Sequence, residues 1–430
     1  MKIVMASPQQ HASSIFGVGL RAAITAPVLA MVFVLTIGAG QDVQAQTFNV
    51  IHDFTGGGDG AGPEAGLIMD RAGNLYGTAS GGGTGGNGTV FKLAHKGSGW
   101  LLNTLYSFAG GNDGAFPTAS VTIGPNGSLY GTTANGGPGN GIVFNVKPSP
   151  AACKTALCPW TETVLYGFSG GSDGGVPFSP VVFDQAGNLY GTTYVGGSNN
   201  SGTVYKLVPS GGNWTESVLH NFTGGNDGSD PEAGVTFDNA GNLYGTTYYG
   251  GSGIYGTVFQ LTPSGSAWTE NILYNFQGEG PVGCCPSAGV IFDSAGNLYG
   301  AASVGGSRVG GSVFEMQPSG GNWVLTVLYS FQGNGTGPVS DLVMDAAGNL
   351  YGTLNTDGAY LYGSVFKLTP SSGGWTYTDL HDFTGGSDGA YPFSTVILDA
   401  NGNLYGTASA GGIALSCSGP GCGVVWEITP

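Results

Sequence analysis

From residue 231 to residue 276 the chain alternates four short apolar runs with polar or glycine-rich breaks. The first run, 233–238, is apolar and β-branched. It closes on Asp238-Asn-Ala-Gly-Asn242, where Gly241 suits the positive φ of a tight hairpin. The second run covers 242–247, and a glycine-rich loop, 249–256, leads to the third at 257–262. Pro263-Ser-Gly-Ser then turns the chain into the fourth, 268–276. Runs of about six residues joined by such turns predict four strands of one twisted antiparallel sheet.

The same text recurs along the chain. Gly-Asn-Leu-Tyr-Gly, or a close variant, places its tyrosine at Tyr76, Tyr130, Tyr190, Tyr244, Tyr299, Tyr351 and Tyr405, at intervals of 54, 60, 54, 55, 52 and 54 residues. Pro63, Pro117, Pro177, Pro231, Pro286, Pro338 and Pro392 keep the same register, and the one long interval holds an insertion around Cys153 and Cys158. A repeat of about 54 residues with four strands is the size of a propeller blade, and a β-helix would need a far shorter period. Strings such as Gly57-Gly-Asp-Gly60 occur once per repeat, whereas calcium-binding β-rolls repeat about every nine residues. The expected fold is all-β: a seven-bladed β-propeller of four-stranded antiparallel blades, forming a single domain over residues 46–430. That region begins with a fourth-type strand, 48–54, and ends with a third-type strand, 424–429. The N-terminal strand is therefore expected to close the ring as the outer strand of the last blade, which removes two exposed edges.

Residues 1–45 stand outside the repeats. Lys2 and Arg21 precede an apolar stretch, 22–40, and Val43 and Ala45 sit at the −3 and −1 positions of a small-residue cleavage site, so the segment reads as a signal peptide. Membrane attachment would require that segment to stay uncleaved. With 84 Gly and 22 Pro in 430 residues a helical protein is excluded, and 40% hydrophobic residues against 8% charged exclude a solvated disordered chain. A net charge of −16 repels phosphate backbones and anionic lipid, which removes nucleic acid from the candidate partners. Export permits disulfides, and the six cysteines fall in local pairs. Cys153 with Cys158 and Cys417 with Cys422 are expected to bridge short loops, whereas the adjacent Cys284 and Cys285 are either a strained bond or two buried thiols. None has zinc-site spacing.

In its Gly-Asn-Leu-Tyr-Gly-Thr and Gly-Thr-Val-Phe strings, over roughly residues 47–430, the chain resembles the Gloeo/Verruco (GloVer) tandem-repeat family of exported bacterial proteins. The resemblance implies an exported repeat protein and brings with it neither an activity nor catalytic residues.

Candidate chemistry is therefore weighed residue by residue. His52, His220 and His381 replace Tyr in the same strand of three blades and read as a variable surface position. Their separation around the ring argues against a shared metal, and no catalytic residue, metal or cofactor is assigned. Asp59, Asp113, Asp173, Asp227 and Asp388 recur in loops after an aromatic residue and read as Asx-turn carboxylates, with Ca²⁺ ligation as the alternative. Glu64 and Glu232 share a Pro-Glu-Ala-Gly context. As an acid and base pair they would need to stand about 5–10 Å apart, closer than the two sides of a seven-bladed mouth are expected to lie. Aromatics outside the repeat pattern carry more information, because packing does not require them in every blade. Tyr248, Tyr249 and Tyr255 fall in the loop between the second and third strands, and Phe178, Tyr391 and Phe393 flank repeat prolines. Strand alternation puts both loop sets on one face, where ligand-burying grooves are expected, while the other face bears only short turns. Aromatic planes with Glu64 and Glu232 as polar partners suit a glycan or another exported protein. The expected function is that of an exported, monomeric, non-catalytic binding or interaction scaffold for a glycan or a cell-surface partner. An extracellular enzyme acting on polysaccharide, marked by acids of raised pKa at the ring mouth, and a structural envelope protein are the alternatives.

Overall fold

The computed structural model describes residues 46–148, 160–278, 280–333, 337–414, 416–417 and 421–430. The signal segment and the Cys153–Cys158 pair lie outside them.

Seven four-stranded antiparallel sheets form the blades of a seven-bladed β-propeller, and apart from two single 3-10 turns the described residues contain no helix. Blade four illustrates the unit, with strands Thr236–Phe237, Leu243–Thr247, Thr257–Ser264 and Ala267–Asn275 from the channel outward. Its inner hairpin is built by Asp238. One carboxylate oxygen accepts the backbone N–H groups of Ala240 and Asn242, and the other accepts the Asn242 amide at 2.6 Å and the Tyr244 hydroxyl at 3.1 Å. The repeat tyrosine is thereby held between blades, its ring edge-on to Phe292 of blade five at 5.0 Å. The glycine after it is demanded by a close approach: a Cβ on Gly245 would stand 2.6 Å from the Phe259 ring of the third strand. Core side chains pack between neighbouring blades, as where Val204 and Phe222 of blade three meet Val235, Leu243 and Phe259 of blade four.

Two features depart from the sequence expectation. The third strand continues through Pro263 and Ser264, so the turn shrinks to Gly265 and Ser266. The second strand pairs only as far as Leu261, so Pro263 interrupts no ladder on that side. The inner strand is two residues long rather than six. Near the axis the blades crowd together: a Cβ on Gly66 would lie 3.0 Å from both Ser120 of blade two and the Thr395 carbonyl of blade seven. There the backbone bonds to the next blade instead of to its own sheet. Thr78, Thr132, Thr192, Thr246, Thr353 and Thr407 donate to the carbonyls of Ala119, Ser179, Ala233, Ala288, Ser394 and Ala65 respectively, at 2.8–3.2 Å.

Thr47–Asp53 pairs antiparallel with Val424–Thr429 as the outer strand of blade seven, closing the ring. Cys417 is bonded to Cys422 in the loop before that blade's third strand, and the sulfurs of the neighbours Cys284 and Cys285 face one another in the vicinal arrangement.

Candidate functional site

The loop entering each blade and the loop between its second and third strands meet through short backbone bridges, among them Ser229 with Tyr249, Gly175 with Val195 and Ala390 with Ala410. Both loop sets therefore share one face. On it, the residue before the repeat proline is driven into the left-handed region even where it carries a side chain: φ is 57° at Phe116, 54° at Val176, 56° at Asp230, 63° at Cys285 and 55° at Tyr391. Bonds on both sides hold this disfavoured geometry, for the Asp230 N–H reaches the Ser201 carbonyl at 3.0 Å and the Tyr248 N–H reaches the Asp230 carbonyl at 3.1 Å. The proline that follows fixes its own φ and aims the next residue at the axis.

That next residue is Glu64, Thr118, Phe178, Glu232, Ser287, Val339 and Phe393 in successive blades, and these seven line one cavity of about 400 Å³ at the channel mouth. Four of them, Glu64, Phe178, Glu232 and Phe393, are sequence candidates. Thr118, Ser287 and Val339 are additions whose signal was their place after a repeat proline. Phe178 and Phe393 keep 37% and 42% of their surface exposed, so the apolar planes face the opening. Burial pushes Glu232 up to about 7, eased by a hydrogen bond with Ser287 and reinforced by the charge of Asp230. Burial likewise raises Glu64, against a 3.3 Å hydrogen bond from the Ser80 hydroxyl. Two residues further along the chain, Asp341 stands where the other blades carry Gly, Ser, Pro or Thr. It accepts the Gly289 N–H at 2.6 Å, and its enclosure by protein raises its carboxyl.

Further aromatics lie in the loops of blades three and four. The Tyr194 ring lies 5.4 Å from Phe178, and Tyr248 and Tyr249 meet edge-on at 4.6 Å. The Tyr248 hydroxyl is raised by burial and then by the charges of Glu232 and Tyr249. Tyr248, Tyr249, Tyr255 and Tyr391 are not part of the cavity lining. Tyr255 covers Gly278 of the outer loop, where a Cβ would meet its ring at 2.5 Å, and Tyr391 packs on Tyr362 at 5.8 Å.

The opposite face is not limited to shallow turns, and this corrects the sequence expectation. Clefts of about 710 Å³ and 590 Å³ open between the inner hairpins of blades six and seven, around Asp345 and Asp399, and of blades three and four, around Asp184 and Asp238. Neighbouring hairpins project past the last ladder pair and diverge, leaving a wedge that no sequence pattern marks. The loop aspartates lie at the outer ends of the blade interfaces. Asp59, Asp173, Asp227 and Asp388 each accept the backbone N–H and the hydroxyl of the Thr or Ser four residues earlier, and Asp113 accepts the Ala109 N–H. Away from the mouth, His220 comes within reach of Asp227 and Glu270.

The chain matches the family described as the Gloeobacter/Verrucomicrobia repeat over residues 30–215, 155–337 and 269–430. None of the curated proteins matches it. It is similar to several solved structures. A candidate 6-phosphogluconolactonase from Bacteroides uniformis is 14% identical at a TM-score of 0.48, with 74% of this chain and 84% of that one covered. A gluconolactonase from Xanthomonas campestris is 12% identical at a TM-score of 0.42, with 89% of each covered. A protein of unknown function from Dyadobacter fermentans is 11% identical at a TM-score of 0.43, with 90% and 99% covered. Likeness at this level carries no activity across.

Proposed function

The chain belongs to the Gloeobacter/Verrucomicrobia repeat family, and from that premise we propose that it is an exported binding scaffold whose channel mouth takes a neutral glycan. The observation that carries this reading is the pairing of two exposed aromatic planes, Phe178 and Phe393, with hydrogen-bonding side chains in one cavity of about 400 Å³. Sugar rings present apolar C–H faces and equatorial hydroxyls, and aromatic planes beside carboxyl and hydroxyl groups match both. Glu232, raised to about 7, offers either a donor or an acceptor near neutral pH. Export follows from the N-terminal segment and accords with the bonded Cys417 and Cys422.

The test is a glycan array followed by calorimetry on the mature protein. An aromatic contact contributes on the order of 1 kcal/mol beyond burial, so Phe178→Ala with Phe393→Ala is expected to weaken a captured glycan at least about tenfold. Tyr248→Ala with Tyr249→Ala is expected to act in the same direction. An affinity that survives both pairs but falls when the hairpins around Asp345 and Asp399 are altered places the ligand on the other face and ends the proposal.

A second reading, polysaccharide hydrolysis, is favoured by one observation: Glu64 and Glu232 line the same cavity and burial raises both. One protonated and one ionised carboxyl could serve as acid and base. Release of reducing ends from a captured glycan, abolished by Glu232→Gln while binding persists, would establish it. Binding without turnover would leave the scaffold.

A further inference from the structure

Five of the seven blade interfaces carry a loop aspartate and are internal controls for one another at their outer ends. Three positions meet there: one on the outer strand opposite the buried valine of the third strand, the aspartate of the following loop, and the residue two after the tryptophan on the next blade's outer strand. Between blades one and two these are Tyr106, Asp113 and Glu162, and between two and three Tyr166, Asp173 and Glu216. In both, the tyrosine hydroxyl donates to the aspartate, at 2.5 Å and 3.2 Å. Between blades seven and one, His52 meets Asp59 with Leu102 as the third residue, and between six and seven His381 meets Asp388 with Phe48. In these two the histidine contacts its aspartate at 3.3 Å and 3.2 Å.

Among the described residues the interface between blades three and four alone joins histidine, aspartate and glutamate. His220 lies on Asn213–Asn221, Asp227 in the loop that follows, and Glu270 on Ala267–Asn275. Nε2 of His220 stands 3.5 Å from an oxygen of Asp227 and 3.5 Å from Oε1 of Glu270. His220 Nε2 and Glu270 Oε1 are both shielded from solvent and approach one another no closer than 3.5 Å; the equivalent Oε1 atoms of Glu162 and Glu216 are likewise buried without a donor, so the imidazole nitrogen is what sets this interface apart. Among the described residues no lysine or arginine pairs with these carboxylates. The two distances to the imidazole match a shared ion, since Zn–N and Zn–O bonds of about 2.0–2.2 Å draw a tetrahedron whose edges are about 3.3–3.6 Å, and all three ligand atoms lie within 4.8 Å of one another. Thr223 donates its N–H to the Asp227 oxygen that faces His220 and its hydroxyl to the other, which fixes the orientation of that carboxylate.

We propose that His220, Asp227 and Glu270 hold one divalent transition-metal ion, of which Zn²⁺ is the fit, with water in the fourth position, clamping the outer strands of blades three and four together. Three protein donors that include an imidazole nitrogen suit zinc, whereas Ca²⁺ asks for six or more oxygens. The side chains of His220 and Glu270 keep 19% and 12% of their surface, which leaves the ion a route in from the outer edge.

The test uses the full mature chain stripped with a chelator, titrated with Zn²⁺ by calorimetry and against a chromophoric indicator, with Co²⁺ as a spectroscopic substitute. His220→Tyr and Glu270→Leu each recreate a combination that the same fold already carries at another interface, so both variants are expected to fold. Wild type should take up one Zn²⁺ per chain, show tetrahedral Co²⁺ absorption, and melt at a higher temperature as Zn²⁺ rises. Each variant should lose at least about a hundredfold in affinity, while His381→Tyr, whose interface lacks the glutamate, should bind as wild type does. Absence of stoichiometric uptake by wild type, uptake of Ca²⁺ in preference to Zn²⁺, or equal affinity in either folded variant overturns the proposal.

Discussion

Two kinds of carboxylate share the strands of this protein, and their surroundings pull them in opposite directions. Burial works to raise Asp238, but hydrogen bonds from Asn242, Tyr244 and Ala240 outweigh it and hold the group below its ordinary value. Glu162 and Glu216 have no such donors. Burial, with Asp113 and Asp173 facing them beside Tyr106, Tyr166 and Tyr205, pushes each up to about 7 from an ordinary 4.5. A raised carboxyl binds its proton more tightly folded than unfolded, so its contribution is complete below about pH 4.5 and is lost as pH climbs to about 7. Thermal melts from pH 4.5 to 8 should show stability falling toward neutrality, and Glu162→Gln with Glu216→Gln should flatten that fall. An unchanged slope in the double variant would falsify this assignment. The aspartate turns were legible in the sequence because a turn is local. The glutamates were not, since their burial depends on a loop from the preceding blade interface closing over them.

At the scale of the element, the hairpins and the outer three strands followed from alternation and turn chemistry, and the inner strand did not. Residues 233–235, Ala-Gly-Val, join no ladder, and the Ala233 carbonyl is met instead by the Thr192 hydroxyl of blade three. The threonine hydroxyls are what replace the missing ladder. Thr246 is about 1% exposed, and its hydroxyl serves the Ala288 carbonyl at 2.8 Å. Thr246→Val keeps the shape and strands that carbonyl, at a cost of about 1–3 kcal/mol in urea unfolding. Loss of less than a few tenths would mean that the crowded axis is held by packing alone. The natural exception is blade five, where Ala301 occupies the threonine position and the Asp341 bond to Gly289 N–H bridges the same two blades instead.

For the whole molecule, closure is the decisive event. Thr47–Asp53 supplies the outer strand of blade seven, Phe54 is fully buried beside Phe91 of blade one, and Asp53 accepts the Ile413 N–H at 2.8 Å. Deleting residues 46–54 should therefore lower the melting temperature of the entire propeller in a single transition rather than fray one blade. A truncated chain that melts with its parent would refute closure by this strand.

The amino-acid sequence by itself determined the blade count, the four-strand unit, the closing strand and the face that carries the long loops, because each follows from a local period repeated in register. It also named Glu64, Phe178, Glu232 and Phe393 as candidates. Only the tertiary structure decided that these four share a cavity with Thr118, Ser287 and Val339, that Tyr248, Tyr249, Tyr255 and Tyr391 stand outside it, and that larger clefts open on the opposite face. Such facts depend on how seven blades converge on an axis and diverge from it. The same holds for His220, Asp227 and Glu270, which a sequence period separates and a blade interface brings to within 3.5 Å of the imidazole. A repeat dictates what each blade is, whereas contacts between blades depend on which variants of the repeat happen to be neighbours.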